Sequence, residues 1–334
     1  MKNIFIIKLC LILLPFFAAA NVSDFSITEI YKFEGDGKTL FGVTDLIPLD
    51  DDSFVISDMR MKRILKVNRD GELVRLAGRD GRGPGEFSGG AHQIIENGGL
   101  LYVFDMSSLK IAQVFDHDLN YVTTIQTELA RDAIAINDSV MLLHYHNYQN
   151  DKYLHLHNYD GALVSSVDHE VASEEYVNLN YANVVSTGNG KFVIVYRHLN
   201  RIEYYNTDFS LCTILSIASL PDESPVYQMP GSAKIAARFE GRQRNIVESA
   251  SYRPEFLIYK SSAADRKGNV YIQVNSELWD SDENIIVLDQ RGSQTGSFVL
   301  PGNQKLMAIG RDDRLYSRSA TGDAVYVYQI NRES

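Results

Sequence analysis

The chain has 334 residues, 45% of them hydrophobic and 22% charged, and a net charge of −11. That length can bury a large core, and the acidic balance excludes the basic surface that nucleic acid or an anionic membrane would select. With two cysteines, the chain cannot be a disulfide-stapled scaffold.

Residues 1–20 read as a secretory signal peptide. Lys2 and Lys8 bracket a short basic start, Leu9 to Phe17 is apolar, and Ala18, Ala19 and Ala20 supply the small residues that cleavage near Ala20 needs. The segment is too short for a membrane span, and no later stretch is long and apolar enough to make one. Cys10 follows Lys8 and Leu9 rather than small residues, so no lipid-anchor site is read there. Cleavage removes two lysines and Cys10, taking the charge from −11 to −13 and leaving Cys212 alone. The expected location is secreted or periplasmic. Cys212 lies in the apolar run Leu211 to Leu215 and is expected to be a buried, inert thiol.

Beyond residue 21 one cassette recurs, an apolar run followed by a second across a polar turn. Phe54-Val55-Ile56-Ser57-Asp58 precedes Arg63-Ile64-Leu65-Lys66-Val67, and Leu101-Tyr102-Val103-Phe104-Asp105 precedes Ile111-Ala112-Gln113-Val114-Phe115. Further copies start at Val140, Phe192, Val270 and Leu315. Short runs rich in Val, Ile, Tyr and Phe, bounded by Asp-Gly and Asn-Gly turns, are strands. A repeat of roughly 40–50 residues carrying four strands is the signature of a propeller blade. Six copies predict an all-β, six-bladed β-propeller of four antiparallel strands per blade, as one domain over 21–334.

In chain order the blades fall at 43–77, 91–126, 133–167, 182–217, 256–300 and from Lys305 to Ile330. The sixth has only three strands, while Ser26 to Phe33 stands unpaired before the first. That spare strand is expected to complete the sixth blade and remove the open edge of the ring. Residues 218–255, with Pro221, Pro225, Pro230 and Pro254, read as an insertion between blades four and five. Within it, Ile235, Phe239 and Ile246 are spaced for a short helix over 231–248.

The segment Gly81-Arg82-Gly83-Pro84-Gly85-Glu86-Phe87, after the first cassette and Asp70-Gly71, resembles the blade linker of NHL-repeat proteins. The match spans about residues 43–118. His144-Tyr145-His146 and Tyr196-Arg197-His198 depart from it, as does Gly89-Gly90 where the family has proline. The whole chain is similar to secreted, TolB-like or NHL-like six-bladed propellers of bacteria, which implies the fold and leaves function to the loops. Gly83 and Gly85 are expected to supply the positive φ that the crossing to the next blade needs. No Gly-Lys-Ser/Thr follows, so a phosphate-cradling loop is not read there.

In a propeller the interblade linkers and the loops joining second to third strands share one face, the default ligand site. From this chain it receives Asp58, Arg60, His92, Asp105, His146, Arg197 and His198. It also receives the loop 276–283 with the sole tryptophan, Trp279, and the insertion with Arg238, Arg242 and Arg244. Trp279 offers a stacking ring, and the insertion is a local positive patch in an acidic chain. Asp58 and Asp105 end second strands, where a carboxylate caps the following turn or meets a ligand.

Two chemistries are weaker in the sequence. His144 with His146 and His155 with His157 alternate along two strands, a conceivable Zn²⁺ set without a thiol or carboxylate among them. A channel Ca²⁺ of the kind held by lactonase and lyase propellers needs several inward oxygen donors, for which Asp45, Asp58, Asp105, Asn183 and Glu277 are at hand. The sequence itself requires no cofactor, and no G-x-S-x-G or activated nucleophile occurs. The expected function is binding of a protein, peptide or glycan partner on the loop face. The alternative is a metal-assisted lyase or lactonase-like hydrolase.

Overall fold

Where every blade is sandwiched between two others, its middle strands are apolar on both faces, and that is how these strands are written. A computed structural model describes residues 23–34, 40–127, 132–144, 152–168, 182–188, 190–222, 257–278 and 283–332. His146, Arg238, Arg242, Arg244, Trp279 and the helix read over 231–248 lie outside the described residues.

Strand β1 (Ser23–Glu34) precedes the first blade, which is β2 (Val43–Pro48), β3 (Phe54–Asp58), β4 (Arg63–Val67) and β5 (Leu73–Ala77). Blade two is β6 (Ala91–Asn97), β7 (Leu100–Asp105), β8 (Ser108–Asp116) and β9 (Tyr121–Gln126). Blade three is β10 (Asp132–Ala135), β11 (Val140–His144), β12 (Lys152–Asn158) and β13 (Leu163–Asp168). Blade four is β14 (Ala182–Ser186), β15 (Lys191–Tyr196), β16 (Ile202–Asn206) and β17 (Leu211–Leu215). Blade five is β18 (Tyr259–Ala264), β19 (Val270–Val274), β20 (Ile285–Leu288) and β21 (Gln294–Phe298), and blade six begins with β22 (Lys305–Ile309), β23 (Arg314–Arg318) and β24 (Ala324–Arg332).

Each blade is an antiparallel sheet in sequence order. The innermost strands β2, β6, β10, β14, β18 and β22 touch in succession, and β22 returns to β2, closing a six-bladed propeller. All of β3 and β19 is buried. The apolar clusters form between blades: Val55 and Ile64 of blade one meet Leu101 and Phe115 of blade two around Phe87 from the linker.

Fourth strands break this rule. Leu73, Val74 and Leu76 on β5, Val122 on β9, Leu163 and Val164 on β13, and Leu211 and Ile214 on β17 are exposed. Cys212 sits on β17 and is exposed too, which corrects the expectation of a buried thiol. The physical reason is position: the fourth strand lies at the rim of the blade, so an apolar run there does not report burial.

The spare strand closes the ring. β1 pairs antiparallel with β24 from Phe25 opposite Arg332 to Glu34 opposite Ala324, with an irregularity between Glu29 and Tyr31. Its first residues, Ser23 and Asp24, also run parallel to Gly296 and Ser297 of β21, so one strand latches blades five and six.

In the first linker, the Glu86 carboxylate accepts the Gly83 N–H at 2.8 Å and the Arg79 Nε–H at 2.7 Å. Those two donors hold its pKa below the usual carboxylate range. Gly85 takes a φ of 72°, as expected, whereas Gly83 is not among the positive-φ glycines. Gly90 carries the other constraint, since a Cβ there would sit 2.2 Å from the Met59 carbonyl oxygen.

Removal of residues 21–34 should abolish cooperative thermal unfolding, because β24 and the end of β21 both lose their partner. A truncated protein that melts at the full-length temperature would show that closure is dispensable.

Candidate functional site

Second strands of blades one and two end in aspartates that turn back onto the chain. Asp58 is fully buried, its Oδ2 accepting the Phe41 N–H at 3.2 Å and its Oδ1 the Met61 N–H at 3.3 Å, with the Arg63 guanidinium 3.8 Å away. Asp105 accepts backbone N–H groups from Ser88 at 2.6 Å and from Gly89 and Ser107 at 2.9 Å, and also the Ser107 hydroxyl. Burial alone would raise the Asp105 pKa. The Ser107, Gly89 and Ser88 N–H groups outweigh it and hold the carboxyl below its ordinary value. Each aspartate thus fixes the linker that enters its own blade.

The axial wall has a pattern of its own at its loop-face end. In blades one, two and five an extra residue interrupts the pairing of first and second strands near the loop end, between Val43 and Asp45, Ala91 and Gln93, and Tyr259 and Ser261. The extra residues are Thr44, His92 and Lys260. Such bulges re-aim a side chain at a rim. Asn183 occupies the same second position of its inner strand in blade four. Lys260 is half-buried and makes no ion pair among the described residues. Burial pushes its ammonium pKa down, and Glu277 opposes that.

Blades four and five join at this end through a relay of backbone bonds. The Ile258 N–H donates to the Arg197 carbonyl at 2.8 Å, and the Asn275 N–H donates to the Ile258 carbonyl at 2.9 Å. Asn200 receives the Ile217 N–H at 2.8 Å and the Tyr259 hydroxyl at 2.6 Å, and donates to the Ile217 and Leu220 carbonyls. The stem leaving blade four at 217–222, the stem returning at 257–258 and the turn opening the 276–283 loop are therefore held at one place. Arg197 and His198 belong to this scaffold, His198 being fully buried.

Arg60 stands elsewhere. It is exposed, without an ion pair among the described residues, and lines a cleft of about 410 Å³ outboard of the axis with Lys32, Glu34, Phe41, Asp323 and Tyr326. His92 lies on the axial wall and its carbonyl accepts the Ser57 hydroxyl at 3.2 Å. The opposite face of the ring is occupied by ion pairs, with Arg266 and Arg311 both on Asp50. The sequence reading missed Lys260, Lys32 and Asp323. Lys260 could have been found by aligning the cassettes, since it shares its place with Thr44 and His92.

The metal readings meet a geometric obstacle. In blade three the register sets His155 opposite Leu143 and His144 opposite Leu154, so the two are not cross-strand partners, and His146 lies outside the described residues. Among the described residues no three His, Cys, Asp or Glu side chains gather to hold an ion. Asp45, on the inner strand β2, has its two oxygens on the Leu46 and Ile94 N–H groups. Asp58 and Asp105 are bound to backbone N–H groups as well, so three of the five expected Ca²⁺ donors are already engaged by the protein's own amides.

No protein-family model matches the chain, and no curated protein matches it. Solved structures do. A Bacteroides fragilis protein described as a presumed exported protein superposes with a TM-score of 0.63 at 10% identity, over 95% of this chain and 97% of its own. A member of the DUF4221 family from Bacteroides vulgatus gives 0.60 at 9% identity, over 93% and 100%. A gluconolactonase from Xanthomonas campestris gives 0.53 at 12% identity, over 94% and 92%. At such identities the likeness establishes the fold. Among the described residues no helix is long and apolar enough to cross a membrane.

Replacing Asp105 with alanine should destabilise the propeller by about 3 kcal/mol, because two linker N–H groups and one in the turn after β7 lose a charged acceptor. The pKa of Asp105 is depressed on folding, so its contribution is whole above the ordinary value of 3.8 and is lost as pH falls through the lower folded value. Denaturant melts should therefore show the gap between the parent and Asp105→Asn closing below about pH 4. A gap independent of pH would mean that the charge is not what matters.

Proposed function

We propose that the chain is an exported propeller that binds a peptide, glycan or protein partner at the loop-face channel mouth, where blades four and five meet. The relay at Ile258 carries this reading, because it brings the stems of the insertion and of the Trp279 loop together beside the half-buried Lys260. Export rests on the leader pattern of residues 1–20, and the resemblance to NHL-like and TolB-like propellers is in keeping with it.

In this reading Trp279 gives the ligand an apolar stacking face, and Arg238, Arg242 or Arg244 bond its carboxylate or sulfate. Lys260 adds a cation at the axis. A partly buried ammonium with no ion pair among the described residues gains most from an anion, since burial already disfavours its charge. Asp58 and Asp105 act from behind, holding linkers rather than ligand.

Catalysis is the competing reading, since a gluconolactonase and a virginiamycin B lyase have this fold. Metal analysis of the purified protein, before and after chelation, separates the two. Stoichiometric metal whose removal lowers the melting temperature by several degrees would favour the enzyme.

Screening acidic and neutral peptides and glycans by thermal shift should yield binders that are predominantly anionic. For the best of them, calorimetry with Trp279→Ala should show a loss of about 1–3 kcal/mol without loss of fold stability. Lys260→Gln should weaken binding as well, and the difference should shrink at high salt. If Trp279→Ala lowers the melting temperature and leaves affinity intact, the ring is packing and the channel-mouth site is wrong.

A further inference from the structure

The cleft that holds Arg60 lies between parts of the chain that are far apart in sequence. Lys32 and Glu34 come from β1, Phe41 from the linker that follows, Arg60 from blade one, and Asp323 and Tyr326 from blade six. Its volume of about 410 Å³ falls in the range of small-ligand sites.

The charges of this cleft are unequally committed. Lys32 is paired with Glu34, and its ammonium stands 5.0 Å from the centre of the Tyr326 ring. Asp323 accepts the hydroxyls of Ser319 at 2.6 Å and Thr321 at 2.7 Å. Those two bonds are the main reason its pKa is low. Among the described residues Arg60 has no counter-ion, though its stem is fixed: a Cβ at Gly42 would come within 2.8 Å of its Cγ. A guanidinium so positioned offers a planar two-donor face to a carboxylate, with Phe41 and Tyr326 as aromatic surface beside it.

We propose that this cleft is a second binding site, distinct from the channel mouth, for a small carboxylate-bearing ligand of monosaccharide or dipeptide size. The carboxylate meets Arg60, and the body of the ligand rests against Phe41 and Tyr326. A ligand seated there contacts the closure strand, the last blade and the first blade together. Its binding therefore stabilises the closed ring, and the free energy of binding appears directly as resistance to unfolding.

Thermal unfolding in galacturonate, in Gly-Gly and in glucose at matched millimolar concentrations tests this. An acidic sugar or a dipeptide should raise the melting temperature, and whichever does so identifies the source of the carboxylate; glucose should not. The rise should disappear in Arg60→Gln and persist in Lys260→Gln, which separates this site from the channel mouth. Arg60→Gln keeps the stem over Gly42, and its melting temperature without ligand reports whether it folds; should it not, Arg60→Lys with a weakened ligand response serves in its place. No rise with either carboxylate, a rise equal to that with glucose, or a rise that survives in the Arg60 variant overturns the proposal.

Discussion

Six inner strands turn one edge toward the axis, and an unpaired amide on that edge must be answered from somewhere. Here the preceding blade answers it. Asp45 takes the Ile94 N–H at 2.8 Å, Gln93 brackets the peptide groups of Ala133 as both acceptor and donor, and Gln273 takes the Leu306 N–H at 3.0 Å. These side chains set how far each blade is displaced against its neighbour. They also fix what lies one step toward the loop face, so the disposition of Thr44, His92 and Lys260 follows from how the edges are satisfied.

The second requirement is that the ring be finite. Apolar burial between blades is the main source of stability and has no preferred end, so something must join blade six to blade one. The chain does this with β1, which leaves blade six complete and sets Phe33 and Leu40 into the cluster shared with Phe54, Leu65 and Val327. Closure and core packing are in this sense one interaction. The Val43 N–H completes it by donating to the Gly322 carbonyl at 3.0 Å.

How much of this was legible in the sequence depends on which force does the deciding. The blades were legible because middle strands are apolar on both faces, and Phe54 to Asp58 or Val270 to Val274 cannot be written otherwise. The role of β1 was legible from bookkeeping alone, one strand short at one end and one spare at the other. Cys212 misled because rim strands are apolar without being buried. Lys260 was legible only by aligning the cassettes, because its place depends on a bulge that shifts register by one residue, and the Arg60 cleft was not legible, because it depends on residues some 290 positions apart brought together by closure. Asp58 and Asp105 could be placed at strand ends, but only the fold shows which N–H groups they take.

The ladder between β1 and β24 joins Phe25 to Arg332, nearly the two limits of the chain, and this bears on the order in which the molecule forms. Blades one to four can each condense from local hairpins as soon as their residues are available. The ring cannot, because its last contact has close to the largest sequence separation the chain allows, and contacts of that kind are the slow ones. The entropy of drawing the ends together grows only logarithmically with length, so the delay is one of search rather than of final stability. Until the search ends, β24 has a bare edge and β1 has no sheet. The interval before closure is therefore when this propeller is most exposed to pairing with another copy of itself.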